Sequence, residues 1–177
     1  MAEEVDLREG NISLILDGYN DLFSDFDPRH FSERALSDDF LAESKRASRD
    51  KPAGSIEVKF LVPEKKRNYK DEVTIKRRLK EHFRKHFLLI DSERKRIIKQ
   101  GFLFILFGLV LMAFATYVLF YFEGSLITHF IVVISEPGGW FLFWEGLDLI
   151  IFESKKLRPE RDYFEKMSKA VVYFNSY

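Results

Sequence analysis

The sequence contains one stretch that limits the fold more than any other feature: residues 101–122, 22 in number, carry no charged side chain. At about 1.5 Å per residue, a helix of that length crosses the roughly 30 Å hydrocarbon core of a bilayer. The stretch lies in mid-chain, which excludes a secretory signal peptide. A core helix of a soluble protein is the alternative, but such helices rarely stay uncharged for so long. We therefore predict a transmembrane helix at 101–122.

A second apolar stretch follows at 125–152, after a connection just long enough for a tight turn. The two stretches are predicted to form an antiparallel transmembrane hairpin. Pro137, Gly138 and Gly139 lie within the second stretch, where proline removes a backbone donor and glycine weakens the helix. We therefore expect the second helix to be kinked or broken at 136–139.

Basic residues flank both stretches, and their position predicts the orientation of the hairpin. They are Arg94, Lys95, Arg96 and Lys99 before the first stretch, and Lys155, Lys156, Arg158 and Arg161 after the second. The positive-inside rule puts both termini in the cytoplasm, which makes this a multi-pass protein of the inner membrane. The four cations before the first stretch are also expected to contact anionic lipid head groups.

The segments on either side of the hairpin are predicted to form one cytosolic α+β domain with about three strands. Its N-terminal part covers 1–98 and includes a long basic helix at 69–98. The C-terminal part, 153–177, is expected to pack a helix and a strand on the N-terminal part. Alternating and helical hydrophobic patterns support these elements. The predicted strands are 11–17, 55–62 and 170–174, and the other predicted helices are 37–49 and 160–169.

The strongest functional signal is a small set of acidic residues in a region that contains no lysine or arginine. Residues 101–152 hold four acids, which are Glu123, Glu136, Glu145 and Asp148. An ionisable group inside a membrane is costly, and it normally faces a bundle interior or a water-filled cavity. Two helices cannot enclose a cavity, but several copies can, and each acid then becomes a ring that favours cations. We therefore expect a homo-oligomer with a cation pathway.

The same acids also fit structural roles, and the residues alone leave the choice open. Glu123 would then mark the turn. Glu145 and Asp148 would pair with Arg96 or Lys99 at the inner surface. Glu136 would be protonated, because burial in an apolar medium disfavours the charged form.

Three histidines add weaker signals. His129 lies seven residues before Glu136 and shares its helical face, so it is a candidate pathway residue and a candidate proton relay. His82 and His86 have the i, i+4 spacing of a two-histidine metal site. No third ligand accompanies them and cations crowd the same segment, so we expect no metal.

The basic segment 64–100 carries 14 basic and 6 acidic residues, which suits an anionic ligand. A nucleotide or a single-stranded nucleic acid would be such a ligand. The candidate residues are Lys76, Arg77, Arg78, Lys80, Arg84 and Lys85. The alternative is a solvated helix face that the acidic segment 1–50 neutralises with its 13 acids and 6 bases.

Motifs of enzymes and cofactor sites are missing. The chain has no cysteine, which excludes disulfides, iron–sulfur clusters and thiol catalysis. It also has no phosphate-binding glycine loop, no nucleophile elbow and no HExxH motif. We therefore expect neither an enzyme nor a cofactor.

The order of parts resembles small two-span membrane effectors of bacterial antiphage defence systems. An EPGGW sequence at 136–140 and a WEGL sequence at 144–147 look like family signatures. The resemblance implies a cytosolic domain that senses a nucleotide or oligonucleotide and an oligomeric membrane part that acts as a gated channel. It carries no functional residue over to this chain. The alternative function is a membrane-anchored scaffold that recruits a cytosolic regulatory protein without transport.

Overall fold

The protein is mostly helical and contains one small parallel sheet. A computed structural model describes residues 11–49, 56–122 and 124–177. Strands β1, β2 and β3 are Asn11–Ile15, Glu57–Val62 and Val171–Ser176. The helices are α1 (Asp38–Arg49), α2 (Tyr69–Tyr121), α3 (Leu126–Asp148), α4 (Ser154–Lys156) and α5 (Arg158–Lys169). Short 3-10 helices cover Tyr19–Leu22 and Glu64–Lys66.

The three predicted strands are confirmed, and they form one sheet in the order β1-β2-β3 with all strands parallel. Phe60 in the central strand is in register with Leu14 of β1 and with Phe174 of β3. The last strand comes from beyond the two long apolar helices. The prediction that the sheet needs strands from both sides of the hairpin is therefore confirmed.

One face of this sheet forms the core, because alternate residues of a strand point to the same side. Val58, Phe60 and Val62 are buried on that face. Helix α2 contributes Ile75 and Leu79 to the same core, at the i, i+4 spacing of an apolar helix stripe. Aromatic rings complete it, with the Phe60 centroid 5.2 Å from Phe174 and 5.9 Å from Phe40.

The chain forms two compact units. The soluble unit comprises the residues up to Leu88 together with Glu160–Tyr177. The hairpin unit comprises Leu89–Pro159. Helix α2 contributes residues to both units and is one continuous helix. The domain bounds predicted from the sequence, with the hairpin at 101–152, stay a prediction.

The helices of the hairpin unit begin and end where local signals require it. Gly124 has a φ of 89°, a left-handed conformation that favours glycine over other residues. Ser125 then caps α3, because its hydroxyl oxygen accepts a hydrogen bond from the Ile127 backbone N–H at 3.3 Å. Glu123, which precedes these residues, lies outside the described residues.

The second apolar helix is not broken at 136–139, and a kink there stays a prediction. Helix α3 runs without interruption from Leu126 to Asp148 and includes Pro137. Proline removes one backbone donor within the helix. Gly139, two residues later, packs closely against Gly108 and Met112 of α2. Regular α geometry is lost later, in a π-helical segment at Leu149–Glu153.

Candidate functional site

The hairpin unit contains two helices that are long and apolar enough to cross a membrane. Their best windows have mean hydropathies of 2.6 and 1.5, in the helices Tyr69–Tyr121 and Leu126–Lys156. Only 17% and 22% of those windows are buried. A core helix of a soluble protein would be mostly buried, so low burial distinguishes these helices from that alternative.

The two helices touch along a line of glycines. A Cβ added to Gly108 would lie 2.7 Å from the Gly139 carbonyl oxygen, and one added to Gly146 would lie 2.5 Å from the Gly101 carbonyl oxygen. Real Cβ atoms do not approach other atoms this closely, so both positions need glycine. The backbones of α2 and α3 therefore meet directly, as in small-residue helix packing within membranes.

These glycines are spaced by seven residues on both helices, which is two helical turns. On α2 the series is Gly101, Gly108 and the fully buried Ala115. On α3 it is Val132, Gly139 and Gly146. We call these six residues the glycine seam. The seven-residue spacing of these residues is visible in the sequence, but it did not enter the sequence-based prediction.

The seam fixes which residues of the two helices are level with each other. Gly101 meets Gly146 and Gly108 meets Gly139, so the residue numbers rise on one helix as they fall on the other. Glu136, three residues before Gly139, is therefore level with Leu111 near the middle of the hairpin. Glu145 and Asp148 flank Gly146 and are level with the start of the 101–122 stretch.

The structure does not bring the predicted acids to one side of α3. Glu136 and Glu145 are nine residues apart, about two and a half helical turns, so they point to opposite sides. His129 is two turns from Glu136 and shares its side. Glu136 is exposed and makes no hydrogen bond or ion pair with the described residues. The His129 ring nitrogen Nδ1 lies 3.0 Å from the Ser125 carbonyl oxygen.

Glu145 and Asp148 line a shallow groove of about 320 Å³ on the outer surface of α3 and the π-helical segment. The rest of its lining is apolar, and consists of Phe141, Trp144, Leu147, Ile151 and Phe152. Neither carboxylate makes a hydrogen bond or an ion pair with any residue in the described part of the chain. The groove thus combines an apolar surface with two unpaired negative charges.

The six candidate anion-binding cations of α2 separate into two sets. Spacings of three and four residues put Lys76, Arg77, Lys80 and Arg84 on one side of the helix. Arg78 and Lys85 point about a quarter turn away from that side. Arg78 is also engaged, since its Nε donates to the Arg34 carbonyl oxygen at 3.2 Å.

The set of Lys76, Arg77, Lys80 and Arg84 has few competing acids, and all but the half-buried Lys76 are exposed. Lys76 lies with its ammonium 5.6 Å from the Phe174 ring centroid. Arg77 forms only a loose pair with Glu81, at 3.9 Å, and Lys80 and Arg84 are exposed. These positive charges are therefore accessible to an anion from solvent.

The predicted head-group residues differ from one another in their surroundings. Lys95 pairs with Asp91 at 2.8 Å. Arg94 is half-buried, and its Nε has no hydrogen-bond partner among the described residues. Arg96 and Lys99 are exposed.

The His82 and His86 rings lie in contact, tilted by 32° with centroids 4.1 Å apart. The His86 Nδ1 lies 2.9 Å from the His82 carbonyl oxygen, and the His86 ring stacks on Phe164. Burial and then the positive charge of His86 lower the pKa of His82 to about 4. No group of three metal-ligating residues includes them within the described residues.

A buried polar cluster at the start of α2 was missed by the sequence analysis. The Glu72 carboxylate, 3% exposed, accepts a hydrogen bond from the Tyr19 hydroxyl at 2.9 Å and two from Arg67 at 2.8 and 3.0 Å. Burial acts to raise the pKa of Glu72, but the bonds from Arg67 and Tyr19 outweigh it and hold the pKa below its usual value. Tyr19 also accepts from the Asn68 backbone N–H at 2.8 Å. Tyr19 lies far from Glu72 in the sequence, and no local pattern indicates that the two residues are in contact.

In comparisons with known proteins, no family model, no curated protein and no solved structure matches this chain.

Proposed function

We propose that the chain is an integral protein of the bacterial inner membrane that assembles into a homo-oligomer with a cation-permeable pore. The hairpin unit crosses the bilayer, and both termini lie in the cytoplasm. The soluble unit gates the pore. The observation that carries this proposal is Glu136, an exposed and unpaired carboxylate near the middle of an apolar helix.

The exposure of the two apolar helices supports insertion in a membrane. Large side chains such as Phe102, Phe107 and Phe130 are exposed on them. Contiguous apolar surface of this kind is rare on soluble monomers and is covered by lipid or by other subunits in membrane proteins.

The Glu136 side of α3 is the pathway in this proposal. A lone carboxylate in contact with lipid would cost several kcal/mol, on the order of 2.5–3.5 by insertion scales, so we expect water or another subunit to face it. His129 lies on the same side, which gives that side two polar groups two turns apart. A ring of such carboxylates attracts cations and repels anions.

The trigger in this proposal is an anionic ligand, a nucleotide or an oligonucleotide, that binds the soluble unit. Arg77, Lys80 and Arg84 are exposed on one side of α2 and would bind its phosphates. The ligand shifts the closed–open equilibrium by binding one state more tightly than the other. Membership in an antiphage defence system belongs to the same proposal and rests on the order of parts alone.

Cation flux tests the pore directly. Full-length protein is reconstituted into vesicles, and cation flux is compared for the native chain, for Glu136→Gln and for the matched control Glu93→Gln. Glu93 is also an exposed acid on a long helix, but it lies outside the 101–122 stretch. We expect Glu136→Gln to change flux and cation preference and Glu93→Gln to leave both unchanged.

Membrane potential in expressing cells provides the second readout. If neither the intact chain nor any truncation of the soluble unit depolarises cells, and Glu136→Gln changes nothing in vesicles, the pore proposal is wrong. Replacement of Arg77, Lys80 and Arg84 by glutamate tests the trigger separately. It should abolish the ligand response and leave basal flux intact.

A second candidate function is a membrane-anchored scaffold, and the outer face of the sheet favours it. Parallel sheets are almost always covered on both faces. On the face opposite the core, Ile15, Val171 and Tyr173 are 71%, 46% and 42% exposed within the described part of the chain. This apolar surface suits a cytosolic regulatory protein.

Replacement of the hairpin distinguishes the two functions. The scaffold tolerates an unrelated two-helix hairpin in place of 101–152, because the membrane part acts only as an anchor. The pore does not tolerate it. Tyr173→Asp should abolish recruitment by a scaffold and leave cation flux unchanged.

A further inference from the structure

Two unpaired charges of opposite sign flank the lower end of the glycine seam. Lys99 is two residues before Gly101, and Asp148 is two residues after Gly146. Neither forms a hydrogen bond or an ion pair with another described residue. The charge of Asp148 acts weakly on Lys156, but Lys156 pairs with Glu153 instead. Both side chains are exposed. Lys99 is the cation closest to the apolar 101–122 stretch, and Asp148 is the last acid of α3.

The two charges are level with each other along the hairpin. Gly101 and Gly146 are in backbone contact, and the helices run in opposite directions. Lys99, two residues before Gly101 on α2, therefore lies at the same height as Asp148, two residues after Gly146 on α3. Copies that stand side by side in one membrane keep equal heights, so Lys99 of one copy is level with Asp148 of any other.

The two charges nevertheless cannot meet within one copy. Two residues correspond to about 200° around a helix, so each charge points away from the seam. Lys99 lies on the surface of α2 that faces away from α3, and Asp148 lies on the surface of α3 that faces away from α2. They occupy opposite outer faces of the same hairpin. The alternative in which Asp148 pairs with Lys99 therefore fails within one copy.

We propose that neighbouring copies pack head to tail, with the α2 outer face of one copy against the α3 outer face of the next, so that Lys99 pairs with Asp148 between copies. This inference rests on the proposed homo-oligomer and names the interface that builds it. Complementary charge identifies a second copy of this chain as the occupant of the α3 groove. The pairing also explains why single charges remain uncompensated on both outer faces of an isolated hairpin.

The apolar lining of the α3 groove fits the same occupant. Phe141, Trp144 and Phe152 surround the two acids. On the outer face of α2, Leu103, Leu106 and Val110 follow Lys99 at helical spacing and are exposed. A leucine-rich ridge thus faces an aromatic groove, and the lysine reaches the aspartate at its end.

Head-to-tail contacts use two different surfaces, so they generate a closed ring when the rotation between copies closes. Each copy then offers one Lys99 and one Asp148, and every interface contains one pair. Glu136 is on neither contact surface, because its position around α3 lies between the seam and the outer face. The ring therefore leaves the Glu136 side free to line a lumen.

Cysteine cross-linking of the full-length chain tests this geometry, because the native chain has no cysteine. A variant with both Lys99→Cys and Asp148→Cys is oxidised in vesicles of mixed zwitterionic and anionic lipid. We expect a ladder of disulfide-linked dimers, trimers and larger species that ends at the size of the ring. The matched control combines Glu93→Cys with Asp148→Cys; residue 93 lies about 9 Å further along α2, so this control should cross-link poorly.

Charge reversal tests the pairing itself. Lys99→Asp and Asp148→Lys should each weaken oligomerisation by about tenfold or more, because like charges then face each other. The double exchange should restore it. A loss with Lys99→Asp that depends on anionic lipid and is not restored by the exchange would show that Lys99 binds head groups instead, and would overturn the proposal.

The cross-links also separate this inference from the proposed function. Dimers from either single-cysteine variant would show a two-fold symmetric interface and overturn the head-to-tail arrangement. An oligomer captured by an amine cross-linker, without the 99–148 disulfide ladder, would overturn this interface and leave the pore proposal standing. A chain that stays monomeric with every reagent would overturn both.

Discussion

The soluble unit and the hairpin unit reach close packing by opposite means. Phe60, 0% exposed, fills the centre of the soluble core together with other aromatic rings. The hairpin does the reverse, because Gly108 and Gly139 leave out the side chain and let the two backbones touch. Most of the buried large apolar side chains belong to the soluble unit, and most of the exposed ones belong to the hairpin unit.

This difference follows from the medium that each unit is suited to. In water, removal of apolar area stabilises a fold by about 25 cal/mol per Å², so large side chains belong inside. In lipid, apolar side chains gain little from burial against each other, and association depends on van der Waals contact between close backbones. The contrast is therefore itself an argument that the hairpin belongs in a membrane.

The largest effect is expected at the seam. Gly139→Leu places a Cβ 2.5 Å from the Met112 Cγ and 2.9 Å from the Gly108 carbonyl oxygen, so the helices must separate. We expect loss of the folded hairpin in detergent micelles. Both tryptophans, Trp140 and Trp144, lie in α3, so tryptophan fluorescence during thermal unfolding reports this unit alone.

The neighbouring glycine provides the control for that experiment. Gly138→Ala meets only Leu111 Cδ2, at 3.4 Å, which is ordinary van der Waals contact. It should unfold at nearly the native temperature. If Gly138→Ala and Gly139→Leu unfold alike, the close contact along the seam is wrong.

A smaller effect is expected in the soluble core. Phe60→Ala removes a fully buried ring and should lower the free energy of unfolding by about 3–5 kcal/mol. Urea denaturation followed by circular dichroism measures this loss. Tryptophan fluorescence should not change with it, because both tryptophans lie in the hairpin unit. A shift of both signals together would contradict the division into two units.

The buried cluster at the start of α2 should contribute less than the core. Glu72→Gln keeps an acceptor for the Tyr19 hydroxyl but loses the charge that pairs with Arg67, which is partly exposed. We expect a destabilisation of about 1–3 kcal/mol in urea, as for a hydrogen-bonded group whose partner is left unsatisfied. Glu64→Gln changes an exposed acid nearby and should have no measurable effect.

The smallest effect concerns acid pH. The pKa of His82 in the folded chain is about 4, lowered by burial and by the charges of His86, Arg78 and Lys85. In the unfolded chain an ordinary histidine has a pKa of about 6.5, so only the unfolded chain gains a proton between these values. The soluble unit should therefore lose stability as the pH falls from about 6.5 to about 4. His82→Phe should flatten this dependence in urea titrations, and an unchanged slope would contradict it.

Regular local patterns made much of the fold predictable. The alternation of Val58, Phe60 and Val62 is enough to place β2, and the acids Asp38 and Asp39 mark the first turn of α1. The break that was one expectation at Pro137 is absent, because α3 continues as a helix through the one position that lacks a backbone donor.

Only part of the candidate site could be predicted from the sequence. Counting charges identifies Glu136, Glu145 and Asp148, because acids are conspicuous in an apolar stretch. It does not show that Glu136 and Glu145 point to opposite sides, nor that Lys99 and Asp148 are level on opposite outer faces. The first relation depends on α3 being one continuous helix through 136–145. The second depends on the register between α2 and α3, which the glycine contacts set.

The sequence by itself determined the elements: two long apolar helices, three strands and a segregated distribution of charge. These features depend on local composition and periodicity, which residues close together in the chain are enough to define. Only the tertiary structure decided the parallel order of the strands, the division at Leu88 and the pairing of glycines across the hairpin. Such features arise from contacts between residues distant in the chain, where the free energy depends on how surfaces fit and not on what each segment prefers alone.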